Sequence, residues 1–65
     1  GDEKTLDCTV FALVEGMELA SNIYSESGIN ILIKGTVLNA DILSKILNFH
    51  AVDPIAGTIK IKQPT

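Results

Sequence analysis

Arginine and tryptophan are missing from this 65-residue chain, and cysteine and histidine occur once each. Each scarcity removes a class of function. A lone Cys8 has no partner for an internal disulfide, and Cys8 with His50 supplies too few soft ligands for a structural zinc site. Without arginine there is no bidentate clamp for phosphate or guanine. Five lysines against eight acids, a formal net charge of -3, make no basic face able to neutralise a nucleic-acid backbone. Phe11, Tyr24 and Phe49 are the whole aromatic complement, a poor platform for stacking single strands. The longest uninterrupted apolar run, residues 10–14, is far short of the roughly 20 residues that cross a bilayer, and the polar start of the chain lacks the basic and apolar order of a signal peptide. These features predict no nucleic-acid partner, no membrane association, no metal and no cofactor. A free thiol fits the cytoplasm.

Hydrophobic residues, by contrast, are plentiful, at 46% of the chain. A domain of this size buries only about 60% of the surface its unfolded form exposes, so its core is small and no covalent staple supports it. That combination predicts one domain over residues 8–62, led by a linker or tag remnant at residues 1–7 and followed by a loose tail at 63–65. The apolar surplus is expected to meet another surface, either a neighbouring domain of a longer polypeptide or a second copy.

Along the chain, the β-branched and aromatic residues 8–14 predict a first strand ending at the Glu15-Gly16 turn. Residues 19–24 and 29–33 flank Ser25-Glu26-Ser27-Gly28, the composition of a type I turn whose glycine takes a positive φ and forms a bulge. Ile29, Ile31 and Ile33 alternate with Asn30 and Leu32, which predicts a buried isoleucine face. Gly35 breaks the second arm, and Val37-Leu38 resumes an extended path. Asn39 then suits an N-cap, with Asp41 complementing the helix dipole in the first turn. Ile42, Leu43, Ile46 and Leu47 form an apolar stripe, Lys45 and Asn48 face water, and Phe49 closes the helix. A loop containing Pro54 and Gly57 leads to a last strand, residues 58–62, in which Lys60 and Lys62 form a solvated face. The expected class is α+β, mainly β: a hairpin-rich, β-clip-like domain of about four short strands with one amphipathic helix before the last. Gly16, Gly28 and Gly35 permit the turns, and Leu19, Ile31, Ile33, Leu38, Ile42 and Ile46 fill the core.

No residue pattern here specifies catalysis. His50 sits at a helix end, where interaction with the last carbonyls is the simplest role, and Asp53 three residues later lies across that end. Cys8 has no cationic neighbour that would activate its thiol and is expected to be a passive small hydrophobe. Glu15 and Glu18 bracket a Gly-Met turn as surface acids, and an enzyme would need them to converge with His50. Lys34-Gly35-Thr36 lacks the upstream glycine and the helix of a phosphate-binding loop. A small-ligand module, for a nucleotide or sugar, is the alternative; its polar groups would be Asn22, Tyr24, Asn30 and Lys34 around the hairpin.

One ordered pattern does stand out. Gly16-Met17-Glu18-Leu19-Ala20, Ile23-Tyr24, the Glu26-Ser27-Gly28 turn, Leu32, Lys34-Gly35-Thr36-Val37-Leu38 and a following helix succeed one another over about 35 residues. This succession resembles the small domain that accompanies HD-GYP and related HD-type output domains in bacterial two-component response regulators. The resemblance implies a non-catalytic accessory domain, acting through contacts between domains or protomers, whose parent protein is an HD-type phosphohydrolase or response regulator. It carries no catalytic residue to this chain, which has no adjacent His-Asp pair, no Gly-Tyr-Pro and no phosphoacceptor cluster.

Overall fold

In a computed structural model, described over residues 4–63, four short strands and one helix enclose a single apolar core. The elements in order are β1 (Thr5–Cys8), a 3-10 turn (Val10–Ala12), β2 (Ile23–Tyr24), β3 (Asn30–Leu32), α1 (Ala40–Val52) and β4 (Ile59–Lys62). The strands form two antiparallel pairs, so the class is α+β, mainly β, with the helix ahead of the last strand as the sequence predicts.

β1 and β4 pair in the register Thr5 to Lys62, Leu6 to Ile61, Asp7 to Lys60 and Cys8 to Ile59. The strand therefore starts upstream of the expected one. Residues 5–7, expected to be linker, are in the sheet; of the expected strand over residues 8–14 only Cys8 is in β1, and residues 10–12 form a 3-10 turn. The turn lets Val10 and Leu13, three residues apart, both face the core. Residues 1–3 and 64–65 of the expected linker and tail lie outside the described residues.

The stretch 16–20 acts as a central splice. On one side the Ala20 N–H donates to the Lys60 carbonyl at 2.8 Å and the Lys62 N–H to the Glu18 carbonyl at 2.9 Å. On the other, Leu38 N–H donates to Met17 O at 2.8 Å, Leu19 N–H to Thr36 O at 2.9 Å and Gly35 N–H to Leu19 O at 2.9 Å. Leu19 consequently has both backbone groups paired and its side chain 0% exposed. Leu38, Ile46, Ile23, Ile59 and Ile61 complete the centre with Val10, Leu13 and Ile55, while Ile31, Leu32 and Ile42 pack partly buried against it.

The hairpin turn forms as expected. Gly28 has φ +88°, its N–H donates to Ser25 O at 2.9 Å, and the Ser25 N–H donates to Ile29 O at 2.9 Å. The arms are shorter than expected, because residues 18–20 pair with β4 and leave only Ile23–Tyr24 to β2. A register shift between Ile23 and Tyr24 breaks the alternation in β3. Ile31 and Leu32 both turn toward the core, and Ile33, expected in it, is 62% exposed. In α1 the Asn39 side-chain oxygen accepts from the Ile42 N–H at 2.8 Å, the predicted cap. The helix runs three residues beyond Phe49, closing at Asp53, whose N–H donates to Phe49 O at 2.8 Å. Leu47, assigned to its buried stripe, is exposed.

Candidate functional site

The polar residues expected around the hairpin do gather there, but their polar atoms point into the chain. Asn22 Oδ1 accepts from the Lys34 N–H at 2.7 Å, and its Nδ2 donates to the Tyr24 hydroxyl at 3.2 Å. Asn30 Nδ2 donates to the carbonyls of Ile23 and Leu32 at 3.1 and 3.0 Å, bridging the irregular register of the two arms. All four residues are exposed. These bonds hold strands of two and three residues that have few ladder bonds of their own.

The same strategy docks the hairpin turn onto the segment after α1. Ser25 is buried; its Oγ accepts from the Ile29 N–H at 3.2 Å and its backbone bridges to Ile55. Glu26 N–H donates to Pro54 O at 2.8 Å, and Ser27 Oγ donates to Asp53 Oδ1 at 3.0 Å. His50 belongs to this junction rather than to the helix carbonyls: its Nδ1 accepts from the Ile55 N–H at 3.0 Å, which requires the neutral ring with its proton on Nε2. The Phe11 ring meets the imidazole edge-on, with centroids 5.6 Å apart.

Glu15 and Glu18 share a shallow depression with Leu6, Val14 and Met17, but His50 does not line it. Glu18 is paired with Lys62 at 2.8 Å, so these acids and the imidazole are not brought together. Lys60 pairs with Asp7 at 2.9 Å across the β1–β4 sheet. Cys8 is a half-buried free thiol packed against the core. Among the described residues no three His, Cys, Asp or Glu side chains cluster as a metal site. Among the described residues no helix is long and apolar enough to cross a membrane.

A further concavity lies between β3 and α1. It has a volume of about 270 Å³, with Ile29, Ile31 and Leu32 on the strand wall and Ile42, Ile46 and Phe49 on the helix wall. Lys45 is its one charged lining residue. The spacing of Ile42, Lys45, Ile46 and Phe49 marks one helix face in the sequence. Its pairing with β3 could not be read locally, because it depends on the bulge that turns Leu32 inward. Its lining is apolar apart from Asn30 and Lys45. No family model, curated protein or solved structure matches the chain.

Proposed function

We propose that this chain is a non-catalytic accessory domain of a bacterial signalling protein, a two-component response regulator or an HD-type cyclic di-GMP phosphodiesterase, acting through contacts between domains or protomers. The observation that supports this most is how the two halves of the sequence pattern meet. The Gly16-Met17-Glu18-Leu19 segment and the Lys34-Gly35-Thr36-Val37-Leu38 segment are hydrogen-bonded to each other, with Gly16 N–H donating to Leu38 O at 2.9 Å in addition to the bonds around Leu19. Gly16 and Gly35 turn the chain at φ +91° and +92°, and Leu19 and Leu38 lie side by side in the core. The pattern thus has a structural reason to recur as a unit: each segment supplies the other's backbone partners.

A contact role also accounts for the surface. Phe11, Val14, Ile33 and Val52 are 76%, 55%, 62% and 87% exposed. Scattered apolar residues are ordinary, but a large aromatic held outward by a 3-10 turn leaves apolar area that only an association would cover. The decisive experiment is deletion of this domain from the gene's full polypeptide. Loss of regulation with retention of the output domain's phosphodiesterase turnover is expected. A deletion that leaves both turnover and its response to signal unchanged would reject the accessory role.

A further inference from the structure

Ile55 is held to the end of α1 by an acceptor that only a neutral imidazole offers, and we propose that His50 is a pH-sensitive latch, whose protonation releases residues 53–56 from the hairpin turn. The latch belongs to the fold and does not rest on the accessory role proposed above.

The segment after the helix is fastened on two sides. Toward the hairpin, Glu26 N–H donates to Pro54 O at 2.8 Å, Ala56 N–H to Tyr24 O at 2.9 Å and Ser27 Oγ to Asp53 Oδ1 at 3.0 Å. Extended backbone alternates the direction of its polar groups, so the Ile55 N–H points the opposite way, to His50 Nδ1 at 3.0 Å. Ile55 itself is buried, where an N–H without an acceptor is costly. A neutral imidazole with its proton on Nε2 accepts at Nδ1, whereas an imidazolium donates from both nitrogens. Protonation therefore sets a donor against a donor at the bond that fastens Ile55 to the helix.

The groups around the ring allow it to charge in place. His50 lies half-buried in the last turn of α1, where the free carbonyls favour a cation. Asp53 in the segment and Glu26 in the hairpin turn are the titratable residues of the two elements that meet there, and both are acids. The 3-10 turn brings Phe11, edge-on to the imidazole with centroids 5.6 Å apart, and no titratable group; α1 carries Asp41 and Lys45 on earlier turns. What opposes charge is the Ile55 N–H, so the ring takes a proton by giving that bond up. The release stays local, because the bonds that join β1 to β4, and residues 16–20 to β4 and to residues 35–38, involve neither His50 nor Ile55.

Amide hydrogen exchange of the chain, followed by NMR at about pH 8 and about pH 5 with each rate divided by its intrinsic rate, reads the latch directly. Protection at Glu26, Ile55 and Ala56 should fall about tenfold at the acid end, the fold-change that one hydrogen bond carries. Leu19, Leu38 and Lys62, whose N–H groups bond within the splice, should keep theirs. The midpoint of the Ile55 amide shift should coincide with that of the His50 ring protons. In His50→Gln the side-chain oxygen accepts at any pH, so the difference between the two ends should vanish. Unchanged protection at Ile55, an equal loss at every amide, or the same acid loss in His50→Gln overturns the latch and leaves the accessory role standing. A midpoint in the carboxylate range, near about pH 4, assigns the effect to Asp53 and overturns it as well.

Discussion

Replacing Gly28 should isolate the cost of one backbone conformation, because nothing else at that position changes. Its φ is +88°, and a Cβ built there meets no atom within 4 Å, so a new side chain projects into open space. The penalty is therefore local. Left-handed backbone costs an L-residue roughly 1–2 kcal/mol, more for a β-branched side chain and less for asparagine. Against this, losing glycine's freedom in the unfolded chain returns about 0.4–1 kcal/mol. Gly28→Val should thus destabilise by about 1 kcal/mol or more, Gly28→Ala by somewhat less, and Gly28→Asn least. For a domain of this size each kcal/mol moves the melting temperature by about 4–8 °C, well within reach of a circular-dichroism melt. The turn bonds from Gly28 N–H to Ser25 O and from Ser25 N–H to Ile29 O should survive in the asparagine variant. A valine variant that melts with the parent would refute the positive φ. An asparagine variant as damaged as valine would refute the claim that no steric contact is involved.

Asn39→Ala removes the acceptor that holds the Ile42 N–H at 2.8 Å and should cost about 1 kcal/mol in the same melt; no loss would mean that water replaces the cap without penalty. Leu19→Ala and Ile33→Ser form a contrasting pair. Leu19, 0% exposed at the central splice, should cost about 2–5 kcal/mol on truncation, much of the roughly 3–10 kcal/mol that a chain of this length has to lose. Ile33, 62% exposed, should change stability by no more than about 0.5 kcal/mol in urea titrations, and a large loss there would place it in the core after all.

What could be read from the sequence follows the range of the interaction. The Asn39 cap and the Gly28 turn each depend on atoms within four residues, and both form where expected. Neither Ile33 nor residues 8–14 had that advantage. The period-two isoleucines of the second arm predict a single buried face, but the bulge opposite Ile23 advances the phase and puts Leu32 where Ile33 was expected. The apolar run 8–14 has strand composition, yet the pairing positions are taken by Thr5–Cys8 because β4, more than fifty residues away, dictates the register. The alternation over residues 58–62 predicts a strand but not the burial of Ile59 and Ile61, since only the closing of β4 between β1 and residues 18–20 buries them. His50 stands at the helix end, but its partner is the Ile55 N–H rather than the last carbonyls, because the acceptor role of Nδ1 depends on the chain doubling back after Pro54.

A ligand bound through the hairpin's polar side chains would compete with bonds these groups already make. A two-residue strand against a three-residue strand makes few ladder bonds, and the domain has no disulfide to compensate. Side chains take over: Asn22 holds the Lys34 N–H, Asn30 bridges both arms, Ser27 reaches Asp53, and His50 receives the Ile55 N–H. Each such bond contributes about 0.5–1.5 kcal/mol net, and breaking it leaves a backbone group to be satisfied afresh. A ligand recruiting Asn22 or Asn30 would have to exceed that loss before gaining anything, in a domain whose whole stability is a few such bonds. The side chains of Ile31, Ile42, Ile46 and Phe49 in the groove make none of these bonds. A partner that covered the apolar surface would add burial without dismantling the hairpin.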